Sequence, residues 1–91
     1  MNPHQRVSIE VELYVRQRCA FSDRTKQTII DICRRFDQVH LSIFDTSTQV
    51  LKRPSISITP AIWANDELWY LGTFDATSFE EKLAHLSAGM V

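Results

Sequence analysis

The first alternation of hydrophobic and polar residues lies in SIEVELYV, residues 8 to 15. Alternation places every second side chain on the same face of an extended chain, so this segment predicts a strand. Its apolar face would be formed by Ile9, Val11, Leu13 and Val15. From about Ser22 to Phe36, apolar residues instead recur at helical spacing and charged residues fill the other face, which predicts an amphipathic helix.

Three more short apolar segments follow this helix. VHLSIF, residues 39 to 44, alternates again and predicts a second strand. It must run parallel to the first strand because a helix crosses between them. Further on, PAIWANDELWYLG contains two short apolar runs around Asn65 and Asp66, two residue types that tolerate the positive φ of a tight hairpin turn. These segments predict antiparallel strands three and four.

The chain closes with TSFEEKLAHL, residues 77 to 86, which has the pattern of a terminal helix. Thr77 is its predicted N-cap, with Glu80 at the capping-box spacing and Leu83 and Leu86 on one face. The predicted fold class is therefore α/β in the order β-α-β-β-β-α, a four-stranded mixed sheet with flanking helices. We expect one domain over residues 1–91, with its core at about 8–86.

Composition limits the kinds of partner and the compartment. The net charge of −1 gives no reason to expect nucleic acid or an anionic membrane as a partner. No apolar run reaches membrane length, and MNPHQRVSIE lacks the apolar stretch of a secretory signal. The two cysteines are too few for a disulfide scaffold, and no Cys/His cluster has zinc-ligand spacing. We therefore expect a cytoplasmic protein with reduced thiols and no metal site.

Cys19, in RQRCAFSDR, is the candidate for chemistry. It precedes the first predicted helix, where unpaired N–H groups and the helix dipole favour an anion such as a thiolate. Arg16, Arg18 and Arg24 lie close in sequence and are opposed by Asp23, so the local field should also lower the thiol pKa. The alternative is a half-buried packing cysteine in a solvated, arginine-rich loop.

The second cysteine, Cys33, cannot form a disulfide with Cys19 if the helix is continuous. Fourteen residues of helix separate their Cα atoms by about 21 Å, whereas a disulfide requires less than about 7 Å. Cys33 is therefore predicted to be a core residue. Ser22 stands where a CxxC site would have its second cysteine; its hydroxyl can donate a hydrogen bond to a Cys19 thiolate or cap the helix, but it cannot form an internal disulfide. An external thiol, of which glutathione is the obvious candidate, would have to resolve any mixed disulfide.

This element order resembles the thioredoxin-like superfamily, with Cys19 after strand one, Thr59-Pro60 before strand three, Asn65 in the hairpin and Gly72 after strand four. CAFS is one residue from the CGFS signature of monothiol glutaredoxins. In this chain the second helix of the usual fold would be shortened or missing.

The resemblance implies that Pro60 is cis and packs its loop against Cys19, the nucleophile. It also implies that the Thr59 backbone binds glutathione, and that Gly72 with Asp75 is the remnant of a Gly-Gly-x-Asp loop that holds the γ-glutamyl end.

The sequence departs from the glutaredoxin pattern at three places. Ala20 replaces the glycine of CGFS, Thr73 replaces the second glycine of the loop, and Arg16 or Arg18 would supply the charge of a lysine that glutaredoxins carry before the cysteine.

The expected activity is monothiol thiol–disulfide exchange or deglutathionylation. Its substrates would be protein or glutathione mixed disulfides, with glutathione as co-substrate and no intrinsic cofactor. The alternatives are a redox-inactive thioredoxin-like module that binds a peptide between RCAFS and ITPA, a KaiB-like regulatory domain, and a carrier of a [2Fe–2S] cluster ligated by Cys19 and glutathione.

Overall fold

The structure, a computed structural model, describes residues 8–46 and 58–88. Six elements form in these residues in the predicted order: β1 (Ile9–Val15), α1 (Ala20–Cys33), β2 (Val39–Asp45), β3 (Ala61–Ala64), β4 (Glu67–Leu71) and α2 (Ala76–Ser87). The α/β class with a four-stranded mixed sheet is thereby confirmed. The prediction of a shortened or missing second helix falls mainly on residues 47–57, which lie outside the described residues.

The sheet has the strand order β2-β1-β3-β4. β1 and β2 pair in parallel, as predicted, with Ile9 opposite Val39 and Val15 opposite Asp45. β3 pairs antiparallel with both β1 and β4. Parallel strands end at the same edge, and the antiparallel β3 begins there. The side of the sheet at which strands terminate therefore carries the ends of β1, β2 and β4 and the start of β3. We call this row of strand termini the site edge.

The hairpin between β3 and β4 turns at Asn65 and Asp66, whose φ angles of 50° and 65° confirm the predicted turn. Asn65 also extends the contact with β1, because its N–H donates to the Glu10 carbonyl at 2.8 Å. Its side-chain oxygen accepts from the Glu10 N–H at 2.9 Å. The turn residue thus fixes the hairpin to the strand beside it.

β4 contains a bulge at Trp69. Tyr70 pairs with Ile62, but the next pair along β3 joins Trp63 to Leu68, so Trp69 has no opposite residue in the ladder. The ring of Trp69 packs edge-on against Phe79 of α2 at 5.9 Å between ring centroids. The extra residue therefore turns an aromatic side chain of this edge strand towards the helical layer.

The hydrophobic core lies between one face of the sheet and both helices. The four apolar residues of β1 predicted to share a face are all buried in it. The helices and β3 add Ile29, Ile32, Cys33, Ile62, Ala64, Phe79 and Leu83. Burial of these side chains supplies the main driving force for the helices to dock on the sheet. The predicted core position of Cys33 is confirmed, whereas Phe79, which is fully buried, was not predicted from the pattern.

The opposite face of the sheet carries an aromatic cluster around Tyr14, which is fully buried. Its ring stacks on Phe44 at 5.0 Å and meets Trp63 edge-on at 5.5 Å between centroids. The Tyr14 hydroxyl donates to the buried Glu12 carboxylate at 2.6 Å. A hydrogen bond of this kind offsets part of the desolvation of a carboxylate.

Both helices begin earlier than predicted. α1 starts at Ala20 rather than about Ser22 and ends at Cys33 rather than about Phe36. Cys19 is its N-cap, so the expectation that Ser22 caps the helix is wrong. At the other end, the Phe36 N–H donates to the Cys33 carbonyl in a turn that leads towards β2.

The predicted N-cap of the terminal helix, Thr77, is also wrong. Asp75 caps α2, and its carboxylate accepts the Ser78 N–H at 3.2 Å. A carboxylate at this position is favoured by the helix dipole, and the earlier start directs Phe79 into the core. No helix in the described ranges is both long and apolar enough to cross a lipid bilayer.

Candidate functional site

Cys19 lies at the site edge, in the short connection between β1 and α1. The connection turns at Arg18, which adopts the left-handed region with φ of 61°, an uncommon conformation for a residue with a side chain. Cys19 follows with extended backbone angles, φ −117° and ψ 108°, as is usual for an N-cap. Its side chain is half-buried. The sulfur is thus both held by the helix and open to solvent.

The Cys19 sulfur takes the place of the oxygen that caps most helices. Its Sγ accepts the backbone N–H of Ser22 at 3.4 Å. The first turn is closed by the Asp23 N–H, which donates to the Cys19 carbonyl at 3.0 Å. The Ser22 N–H is one of the donors that a helix start leaves without partners in the helix, whereas the Asp23 N–H makes the first bond within the helix. A thiolate would bind the Ser22 N–H more strongly than a thiol because it carries a full charge.

These surroundings lower the pKa of the Cys19 thiol below its ordinary value. The largest cause is the Ser22 hydroxyl, which can donate to the sulfur once it is ionised, followed by the backbone N–H of Ser22; the Phe21 N–H lowers it further. Partial burial and the negative charge of Asp23 act in the opposite direction. The predicted direction is confirmed, but the main cause is hydrogen bonding to Ser22 rather than the field of the arginines.

Ser22 is fully buried, although it is a polar residue in the first turn of a helix. The Ser22 Oγ makes no hydrogen bond with any described residue. A buried hydroxyl without a partner is unfavourable by about 1–3 kcal/mol. Ionisation of Cys19 supplies the missing acceptor, since the hydroxyl can then donate to the thiolate. The Ser22 side chain therefore favours the charged form of its neighbour.

Thr59 and Pro60 directly precede β3, and Gly72 directly follows β4. The Thr59–Pro60 peptide bond is cis, as the resemblance implied. The Gly72 N–H donates to the Pro60 carbonyl at 2.8 Å. Tyr14, near the end of β1, pairs with Ala61 at the start of β3, so these residues lie at the edge to which β1 delivers Cys19.

Gly72 occupies a position that a residue with a side chain would strain. Its φ is 77°, in the left-handed region. A Cβ atom there would lie 2.9 Å from Cγ2 of Ile58, closer than ordinary van der Waals contact. Glycine at this position therefore allows the end of β4 to approach the segment before Pro60.

The other predicted site residues are spread around the same edge. Arg16 and Arg18 are exposed on either side of the turn before Cys19. Asp75 lies three residues beyond Gly72 and holds the Ser78 N–H through one carboxylate oxygen. α1 and α2 both begin at the site edge, so the N-terminal ends of two helices face this side of the molecule.

Cys33 lies at the other end of α1 and is buried in the core. Burial raises the pKa of its thiol to about 11. The fourteen-residue helix is continuous, and both cysteines are free thiols, as predicted. Across the ranges 8–46 and 58–88, no three His, Cys, Asp or Glu residues are grouped as a metal site would require.

The geometry adds one feature that the sequence reasoning missed, namely that the cysteine itself caps the helix. The signal was present as a shared spacing: CAFS and DATS both place a capping residue three positions before a serine and follow it with alanine. The sequence matches no protein-family model, and no curated protein shows significant similarity to it. Function is therefore inferred from the surroundings of Cys19.

Proposed function

We propose that this protein is a thioredoxin-like domain that carries out monothiol, glutathione-linked thiol–disulfide exchange at Cys19. The observation that carries the proposal is a half-buried thiol whose pKa is lowered at a helix N-cap, beside a buried hydroxyl that lacks another partner. The thiolate is the nucleophilic form of cysteine, and exposure governs its access to a disulfide. The site meets both requirements.

The proposed reaction begins when the Cys19 thiolate attacks the glutathione sulfur of a protein–glutathione mixed disulfide. The attacked S–S bond breaks, a new disulfide joins Cys19 to glutathione, and the protein thiolate leaves and takes up a proton. A second glutathione, as its thiolate, then attacks the glutathione sulfur on Cys19. Oxidised glutathione leaves, and Cys19 returns as a thiolate stabilised by Ser22.

An external thiol is required because the site has no second cysteine. Ser22 occupies that place, and Cys33 is separated from Cys19 by the length of α1. Supply of reduced glutathione also fits a reducing compartment, so the proposal places the protein in the cytoplasm.

Glutathione carries two carboxylates and one amino group, and the site edge offers chemistry for each. We assign the Thr59 backbone to the peptide part of glutathione. Arg16 or Arg18, both exposed, would bind a carboxylate. The positive-φ backbone of Gly72 and the Asp75 cap would receive the γ-glutamyl end, with the free Asp75 oxygen available to the amino group.

The strand arrangement supports assignment to the thioredoxin-like superfamily. The sheet order β2-β1-β3-β4, in which only β3 is antiparallel to the other strands, brings together the parts of the chain that carry the resemblance. Cys19, Pro60 and Gly72 each lie next to a strand terminus at the site edge. That residues far apart in sequence lie at one edge of the sheet supports the proposal.

The test is turnover of a glutathionylated peptide, followed as oxidised glutathione in a coupled assay. We expect turnover by the natural protein and by Cys33→Ala, and complete loss in Cys19→Ser. In the Cys33→Ala background, the pH dependence of Cys19 alkylation should have its midpoint below that of an ordinary thiol. An ordinary midpoint together with absent turnover would refute the proposal and favour a redox-inactive binding module.

A further inference from the structure

We infer that the preferred partner at the site edge is an acidic protein segment with an apolar side chain next to its reacting sulfur. The inference rests on the proposed function in taking Cys19 as the point of contact, and it adds the chemical class of the substrate's protein part. It depends on the side chains that surround Cys19 rather than on the thiol.

Exposed apolar side chains are concentrated at the site edge. Four large hydrophobic residues are exposed among the described residues, and three of them lie at this edge: Phe21 (39%), Ile58 (51%) and Leu71 (44%). Phe21 lies in the first turn of α1, Ile58 two residues before Pro60, and Leu71 at the end of β4. Such a concentration of exposed apolar side chains is typical of an interaction site.

The approach of Ile58 to Gly72 connects two of these positions. Because Gly72 lacks a side chain, Ile58 can lie against the end of β4, next to Leu71. Gly72 is in turn hydrogen-bonded to Pro60. The position of Ile58 is therefore set by its approach to Gly72, the residue that follows Leu71.

Three exposed arginines lie at the same edge. Arg16, Arg18 and Arg24 are exposed, and none forms an ion pair with another described residue. Asp23, the acidic residue in the first turn of α1, is the nearest opposing charge in sequence. Asp75 and Asp45, the last residue of β2, also lie at this edge, but neither is free: Asp75 caps α2, and Asp45 takes part in an interaction of its own. The unpaired guanidinium groups are free to bind carboxylates of a partner.

Glutathione can use the arginines, since it is itself an anion, but it has no large apolar group for Phe21 or Ile58. An acidic segment with an adjacent leucine or phenylalanine would use both features. The charge should mainly direct association, and the apolar contact should mainly slow dissociation.

Binding can be measured without thiol chemistry by using the Cys19→Ser protein and fluorescent peptides with serine in place of the reacting cysteine. The first peptide carries glutamates and a leucine beside the central serine. In the second, lysines replace the glutamates, and in the third, serine replaces the leucine. We expect the first peptide to bind at least tenfold more tightly than either of the others, and its binding to weaken with added salt.

Matched variants locate the surface. Phe21→Ala and Arg24→Gln should each weaken binding of the first peptide by about fivefold or more. Leu68→Ala is the apolar control, because Leu68 is equally exposed as Leu71 but lies at the other end of β4. Arg34→Gln is the charge control at the opposite end of α1. Both controls should bind as the parent protein does.

Equal binding of all three peptides, or equal effects of the variants and their controls, would overturn the inference. The proposed function fails separately, through absent turnover of glutathionylated peptide by the protein with Cys19 intact. Turnover with no preference among peptide sequences would mean that glutathione alone is recognised, and would overturn the inference while the exchange activity stands.

Discussion

The two ends of α1 present the same side chain in opposite environments. Cys19 caps the first turn, is half-buried and accepts an N–H from Ser22. Cys33 is the last residue of the helix and packs among apolar side chains of the core. The pKa of Cys19 is lowered and that of Cys33 is raised to about 11. Their reactivity is therefore decided by hydrogen-bond donors and burial rather than by residue type.

A second comparison, between the starts of the two helices, shows what is particular to Cys19. Asp75 and Cys19 have nearly the same backbone angles, and each accepts the N–H of a serine three residues later. At α2, the Ser78 hydroxyl accepts from the Tyr70 hydroxyl at 2.8 Å. At α1, the corresponding hydroxyl is buried without such a partner. The two helices thus share one capping geometry. At α2 the serine hydroxyl is hydrogen-bonded to Tyr70, whereas at α1 the Ser22 hydroxyl is available to donate to the Cys19 sulfur.

The largest expected difference between the two cysteines is in alkylation of the folded protein. A pKa raised from 9.0 to about 11 makes the Cys33 thiolate about 100-fold rarer at neutral pH than that of an ordinary thiol. Cys19 should react faster than an ordinary thiol of equal access. Mass spectrometry of iodoacetamide-treated protein, in buffer and in urea, measures each site. Comparable rates at the two sites in buffer would contradict the comparison, and urea should abolish the difference.

Cys33 should also make the folded state sensitive to alkaline pH. The unfolded chain releases its Cys33 proton near pH 9.0, whereas the folded protein holds it to about pH 11. Stability therefore falls as pH rises between these values, by at most about 3 kcal/mol. Urea unfolding from pH 8 to 10.5 should show a steeper fall for the natural protein than for Cys33→Ala. Parallel curves would show that burial does not suppress ionisation of this thiol.

Serine substitution should separate the two positions in stability. Cys33→Ser places a hydroxyl in the apolar core and should lower the free energy of unfolding by about 1–3 kcal/mol. Cys19→Ser replaces the sulfur by a residue that is itself a preferred N-cap, so its effect should stay within about 0.5 kcal/mol. Urea denaturation at pH 7 measures both. A larger loss for Cys19→Ser would mean that the sulfur packs rather than caps.

The smallest expected effects concern the pKa of Cys19 alone, and they have opposite signs. Ser22→Ala removes the main stabilising donor and should raise this pKa; Asp23→Asn removes an opposing charge and should lower it by less. The ultraviolet absorbance of the thiolate, followed against pH in Cys33→Ala protein, measures both shifts. Ser78→Ala is the control at the same position of α2 and should leave the Cys19 pKa unchanged. A rise in this control equal to that of Ser22→Ala would point to a global effect.

Much of the fold could be predicted from the sequence because the periodic segments are strongly patterned. The alternation in β1 and β2 and the Asn65–Asp66 turn depend on local rules, and all were found where the pattern placed them. The starts of the helices were not, because more than one residue near each start could cap the helix. The choice depends on which start aligns the apolar face with the sheet, as the burial of Phe79 shows.

The candidate site was predictable as a set of residues but not as a mechanism. Cys19 stands out by its position before a helix and by the arginines around it, and the direction of its pKa shift followed from that. Ser22 is the main cause of the lowered Cys19 pKa, and its effect depends on the burial of its hydroxyl. Burial is a property of the packed helix that no spacing in the sequence shows.

The bulge at Trp69 has a consequence for how these molecules behave when crowded. An edge strand with an even ladder offers its free amide and carbonyl groups to the edge of another molecule, the first step towards fibrils. The extra residue in β4 breaks the regular spacing of those groups and twists the strand locally. A neighbouring copy that approached β4 would meet an interrupted row of hydrogen-bonding partners, so the bulge disfavours growth of the sheet from this strand.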